Sequence, residues 1–149
     1  MCLVRIGGEQ HDFVAIEVLA REDHGTDDFW DANWLTSRVE VSAGAFKGLV
    51  QLNLRANEFV DFLQHVQELN STLEGTAELR TLEGGLTVRL WIHERGDMWV
   101  DGDIYDGSDD RNRLRFHFNL DQSFLPPLIS QLQTLLGRYP VIGEYPSPG

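Results

Sequence analysis

One pattern constrains this chain more than any other, and it runs twice. Four short runs with a two-residue period are followed by a single stripe of apolar residues spaced three and four apart. A two-residue period sends alternate side chains to opposite faces of a strand, and the longer spacing lines one face of a helix. The first pass comprises Cys2 to Ile6, Phe13 to Arg21, Trp34 to Ala43 and Ala45 to Arg55. In the second of these runs Phe13, Ala15, Val18 and Ala20 break the alternation, which predicts a bulge. Ala43-Gly44-Ala45 is a tight connection that makes the last two runs a hairpin. Asn57 reads as the N-cap of a helix, with Glu58 and Asp61 where a helix start favours negative charge. Phe59, Phe62, Leu63, Val66, Leu69 and Leu73 form its apolar face, and Gly75 lies near its end.

The second pass comprises Thr76 to Glu83, Leu86 to Glu94, Met98 to Tyr105 and Arg113 to Leu120, with turns at Gly84-Gly85 and Gly96-Asp97. Pro126 and Pro127 fit only the first turn of a helix, whose stripe is Leu128, Ile129, Leu132, Leu135, Leu136 and Tyr139, ended by Gly137 and Pro140. The order ββββαββββα never alternates strand, helix, strand. It predicts an α+β fold of about eight mostly antiparallel strands with two amphipathic helices. One curved sheet and two packed sheets, with the helices on one face, both satisfy it. Each half ends in a helix, as a divergent duplication would leave it. A chain of 149 residues fits one domain, and the segment from Gly143 to Gly149, rich in proline and glycine, predicts a loosely held tail.

Charge narrows the function. With 24 Asp and Glu against 12 Lys and Arg, the formal net charge is −12. Phosphate recognition rests on clustered Lys and Arg, so nucleic acid and anionic membranes are disfavoured as partners. A negative field of this size serves solubility, and it also steers a basic protein partner. The lone Cys2 cannot form an internal disulfide, and no signal sequence or apolar run of about 20 residues occurs, so a cytoplasmic location is expected.

Catalytic signatures are missing from the sequence. His11, His24, His65, His93 and His117 form no pair at metal-ligand spacing, and no cofactor motif is present. The segment Asp101 to Asp110 fails the calcium-loop pattern, because Tyr105 and Asp106 stand at its fifth and sixth places and Asn112 at its twelfth. No metal site is expected. Trp30, Trp34, Trp91 and Trp99 read as core aromatics sooner than pocket walls. An enzyme would need a concave pocket in which carboxylates, a histidine and a tryptophan converge.

The acidic loop ending in Asp28-x-x-Asp31-x-Asn33-Trp34-Leu35, the strand of Val39 and Val41, and Phe46-Lys47-Gly48 resemble the opening half of the WapI-type immunity proteins. The helix near Glu58, the strand leading to Glu83 and the Leu-rich helix ending at Tyr139-Pro140 extend the resemblance from about Phe13 to Pro140. It implies a small bacterial protein that neutralises a cognate polymorphic toxin, typically a nuclease, by direct binding, and the family offers no agreed catalytic residues to carry over. Two acidic segments are then the candidate contacts: Glu22, Asp23, Asp27, Asp28 and Trp30, and Asp101, Asp103, Asp106, Asp109 and Asp110. A free edge strand offers a route to homo-oligomers. A regulatory or structural interaction domain, and a small carboxylate-dependent enzyme, are the alternatives. Asp31, Asn33, Trp34 and Leu35 are expected to be structural, with Asp31 or Asn33 bonding backbone groups and Trp34 packed beneath. Trp34→Ala would then cost about 3–5 kcal/mol.

Overall fold

The alternating runs do form strands, and they divide into two separate four-stranded antiparallel sheets. The computed structural model describes residues 2–107 and 111–145. Sheet A takes β1 (Cys2–Gly7), β2 (Phe13–Arg21), β3 (Trp34–Ala43) and β4 (Phe46–Arg55), each paired with the next in sequence. Helix α1 (Ala56–Thr72) follows. Sheet B repeats the arrangement with β5 (Thr76–Arg80), β6 (Leu86–Ile92), β7 (Met98–Tyr105) and β8 (Arg113–Leu120), and α2 (Leu125–Arg138) closes the chain after one short 3-10 turn.

Local details follow from side-chain chemistry. The expected bulge lies between Val18 and Ala20, where the register with β3 shifts and Leu19 is left exposed. In the two-residue loop Gly44-Ala45 only Gly44 has a positive φ, 59°, the pattern of a type II′ hairpin turn. β5 stops at Arg80 and not at Glu83. The Thr81 hydroxyl donates to the Leu86 carbonyl (2.9 Å) and accepts its N–H (3.2 Å), replacing strand pairing by a side-chain bridge.

Helix boundaries moved for similar reasons. Arg55, in extended conformation, is the N-cap, and Asn57 sits inside the first turn. Leu73 leaves the apolar stripe: it takes the left-handed conformation (φ 56°) that closes α1, and its side chain is exposed. Buried Leu125 joins the stripe of α2, while Ile129, Leu136 and Tyr139 are half-buried and Gly137 lies within the last turn. Among the described residues no helix is long and apolar enough to cross a membrane.

The inner faces of the two sheets form one core. Val4, Ile16, Val39 and Val41 from sheet A join Val88, Leu90, Val100, Phe116 and Phe118 from sheet B, with Phe59, Phe62, Leu128 and Leu132 from the helices. The sheets meet where Gly48 of β4 faces Leu114 and Ile104 of sheet B, a contact that leaves little room beyond a single methyl group. The helices do not cover one face of a sheet. α1 lies along edge strand β5, α2 lies along edge strand β1, and the two helices touch.

Gly102 of β7 sits between Val88 and Phe116 in register, and a Cβ there would overlap the Thr87 carbonyl oxygen and the Phe116 ring. Gly102→Ala is expected to destabilise the fold by about 1–3 kcal/mol, the usual cost of overpacking. Urea unfolding measures it; a midpoint equal to that of the wild type would show that the sheet yields without cost.

Candidate functional site

Three distant stretches of chain meet beneath the acidic loop, and polar bonds hold them. Asn33 is fully buried. Its side-chain amide N–H groups donate to the carbonyls of Phe29 (2.8 Å) and Ile142 (3.0 Å), and its oxygen accepts the N–H of Ile142 at 2.8 Å. Arg21 donates to the Ala32 carbonyl (2.8 Å), to Asn33 Oδ1 (3.2 Å) and to the Pro140 carbonyl. The loop, the start of β3 and the segment after α2 are thereby tied at one point. Gly143 makes the last step possible. At φ 77° it passes so close to the loop that a Cβ would lie 2.8 Å from the Asp27 carbonyl oxygen.

Arg55 extends this joint toward α1. Its side chain is buried, with the guanidinium carbon 5.0–5.5 Å from the ring centres of Phe29, Trp30 and Trp34. Glu58, three residues on, accepts the Arg55 N–H at 2.7 Å with one oxygen and the Leu82 N–H at 2.5 Å with the other. Burial raises the Glu58 pKa above its ordinary value, against the lowering effect of those two N–H groups and of Arg55.

Of the expected structural block, Asn33 and Leu35 are the buried members. Asp31 is exposed and takes no backbone bond with its side chain. Trp34 is half-buried against Arg55, so the full penalty of an emptied aromatic site does not apply to it.

Above the joint lies the acidic loop. Phe29, Trp30 and Tyr145 pack edge to face, with ring centres 5.2–5.5 Å apart. Trp30 is 42% exposed and Tyr145 66%, although the tail was expected to be loosely held; residues 146–149 of it lie outside the described residues. Glu22 is engaged by His24 (2.8 Å) and Thr36 (3.4 Å), and Asp23 accepts the Gly25 N–H in a local turn. The side chains of Asp27, Asp28 and Asp31 have no ion-pair or hydrogen-bond partner among the described residues. The outcome is an exposed aromatic pair ringed by uncompensated carboxylates.

The second acidic segment is built differently. Asp101 accepts from Arg89 (2.9 Å), and Asp103 is paired with Arg113 (2.6 Å), both on the outer face of sheet B. Asp106 accepts from the Asn112 backbone N–H (2.6 Å) and side chain (2.9 Å), which hold its pKa below the ordinary value. Asp109 and Asp110 lie outside the described residues.

The tryptophans fall into two groups. Trp30 and Trp34 flank Arg55, while Trp91 and Trp99 are cross-strand partners on the outer face of sheet B, half-exposed, with His93 stacked on Trp99. Only inward positions of a strand reach the core, so these two do not. A depression of about 280 Å³ brings His65 together with Glu58, Asp61, Glu78 and Arg80. Both oxygens of Glu58 are occupied and Glu78 is paired with Arg80, and no tryptophan lines it. Among the described residues no group of three or more His, Cys, Asp or Glu is placed to hold a metal.

Sequence reasoning missed Arg21, Arg55 and the burial of Glu58. One signal was available for the last two: an acid three residues after the final strand residue has capping-box spacing, with Arg in place of Ser or Thr.

A sequence profile of the immunity protein WapI-like family matches residues 5–140. No curated protein matches the chain. Among solved structures, WHY1 from Arabidopsis thaliana is similar at 13% identity with a TM-score of 0.53, over 96% of this chain and 93% of that one. The MRP1/MRP2 structure from Trypanosoma bruciei matches at 10% identity with a TM-score of 0.47, over 84% of this chain and 74% of that one. At these identities the likeness to WHY1 concerns the fold alone.

Two outcomes check the joint. Asn33→Ala is expected to cost on the order of 3 kcal/mol, because buried donors and acceptors on Arg21, Phe29 and Ile142 lose their partner together. Asp31→Ala is expected to change stability by less than about 0.5 kcal/mol. Equal melting of the two variants would remove Asn33 from its central place. For Glu58 the sign is set by a raised pKa on an acid: the folded state binds more protons, so its contribution is greatest below the ordinary value of 4.5 and declines as pH rises through the raised one. Glu58→Gln keeps one acceptor and loses the other, at about 1–3 kcal/mol. The gap between wild type and variant is therefore expected to narrow from acid toward neutral pH in thermal melts; a constant gap would contradict the buried charge.

Proposed function

The chain belongs to the immunity protein WapI-like family, and from that premise we propose that it binds and neutralises a cognate toxin in the bacterial cytoplasm. The proposed contact is the loop from Glu22 to Asp31, with Trp30 and Tyr145 at its centre. One observation carries the choice of surface: Asp27, Asp28 and Asp31 stand unpaired around an exposed aromatic pair, whereas Asp101 and Asp103 are neutralised by arginines of their own sheet. Hot spots of protein interfaces are enriched in Trp and Tyr, and rim charges act on encounter. A nuclease toxin, which must hold phosphates, presents a basic surface of opposite sign. The acidic loop occupies that surface, and no catalysis by this chain is needed.

The joint below gives the loop its fitness for the task. Side chains fixed before contact lose less freedom on binding, and Asn33, Gly143 and Arg55 fix Phe29, Trp30 and Tyr145.

The test begins with a pull-down for the cognate toxin, which is then inactivated for binding studies. Trp30→Ala is expected to weaken the complex roughly 30-fold, mainly through faster dissociation. Asp27→Lys with Asp28→Lys is expected to slow association at low salt and to flatten its salt dependence, while Asp101→Asn leaves the on-rate unchanged. Unaltered kinetics in the Trp30 and Asp27/Asp28 variants would move the interface elsewhere. Failure to recover any toxin would return the chain to a general interaction domain.

A further inference from the structure

Two four-stranded sheets have four edges, and this fold protects three of them. Along β1 runs α2, whose Gln131 accepts the Arg5 backbone N–H at 2.6 Å. Along β5 runs α1. β8 carries Arg113 and Arg115 at alternate exposed positions, charges of the kind that discourage another strand. β4 has no covering helix and one exposed charge, Lys47. It pairs with β3 over ten residues without a bulge, contains no proline, and has no partner on its outer side among the described residues.

Two further properties single this edge out. The chain has 24 carboxylates, yet none lies between Glu40 and Glu58, and β4 has Lys47 and Arg55 as its charges. Two of its exposed positions carry large apolar side chains, Phe46 at 68% and Leu49 at 65%, beside Lys47, Gln51 and Asn53. The tight turn at Gly44-Ala45 makes Ala43 and Phe46 a hydrogen-bonded pair, so the N–H and C=O groups of Lys47, Leu49, Gln51 and Asn53 point away from β3. Those groups are an unused half-ladder.

We propose that this edge pairs with β4 of a second copy of the chain, antiparallel about a twofold axis, to give a dimer with a continuous eight-stranded sheet. A twofold contact requires a surface that complements itself. β4 meets this requirement end to end. Phe46 projects at one end, and at the other a cleft of about 720 Å³ opens between Gln51, Leu52 and Asn53 and a wall of Glu83, Gly85 and Arg111. In an antiparallel pair centred on Val50, Lys47 of one copy lies opposite Asn53 of the other. Phe46 then enters the mouth of the partner's cleft on the Leu52 side, and Lys47 reaches the wall that bears Glu83. Charge favours the same occupant. Two chains of −12 repel wherever carboxylates approach, and the acid-free edge is where two copies meet with least repulsion and a Lys47–Glu83 attraction occurs twice.

Sedimentation velocity on the full chain, with no toxin present, tests the dimer. A species of twice the chain mass is expected at high concentration, dissociating on dilution. Leu49→Lys is expected to leave a monomer with an unchanged melting temperature. Lys47→Glu and Glu83→Lys should each weaken the dimer by roughly tenfold, because the ion pair is present twice. The double variant should recover it, an outcome that misfolding cannot imitate even if Leu49→Lys fails to fold. A wild type that stays monomeric at every concentration overturns the proposal. So does a dimer indifferent to all three substitutions. So, too, does an edge protected from hydrogen exchange only when toxin is added, which would assign β4 to the toxin. The experiment needs no toxin to succeed, so its failure leaves the proposed function standing.

Discussion

The buried polar joint of Asn33, Arg55 and Glu58 is the constraint around which the structure is arranged. Each member bridges elements that no apolar contact alone would fix in position. Glu58 binds the last residue of β4 and the turn after β5, so the two sheets are held to the same helix start. Asn33 binds the loop before β3 and the segment after α2. A buried group left unpaired costs more than a bond contributes, so this network gains from the full use of Asn33 and of both Glu58 oxygens. Arg55, whose Nε has no hydrogen-bond partner among the described residues, is held by the surrounding aromatic rings. The network therefore specifies one arrangement of the loop, whereas the surrounding Val, Leu and Phe residues would accept several.

The net charge, read as one number, conceals a division of labour. On the outer faces of the sheets, Glu17, Glu78, Asp101 and Asp103 each face an arginine at 2.6–3.1 Å. Exposed pairs of this kind contribute little stability. Their effect is to cancel field locally on the sheet faces, while Asp27, Asp28 and Asp31 in the loop keep theirs. Electrostatic steering depends on that local contrast more than on the total.

Most of the fold was legible because its signals are local. The boundaries of β2, β3, β7 and β8 follow directly from alternation ended by glycine and polar turns, and the bulge at Leu19 from its interruption. What could not be read depends on residues far apart in the chain. Nothing near Asn33 announces Ile142, 109 positions on, and nothing near Arg5 announces Gln131. Alternation also cannot say which face of an isolated strand looks inward. Trp91 and Trp99 have the composition of core residues and the parity of surface ones. Likewise the two acidic segments are alike in composition, and only the cross-strand register reveals that one of them has arginines opposite it.

The latch between Asn33 and the residues after α2 has a consequence for the order in which the protein is made. Synthesis runs from the N-terminus, so the acidic loop leaves the ribosome long before Pro140, Ile142 and Gly143 exist. Until they arrive, Arg21 and Asn33 lack their distant partners, and Phe29 and Trp30 lack Tyr145. Closing so long a loop is also among the slower steps of folding. The finished shape of the loop thus waits on residues 140–145. A polypeptide truncated before residue 140 would lack every one of these partners, so the shape of the loop reports that the chain has been made at least as far as Tyr145.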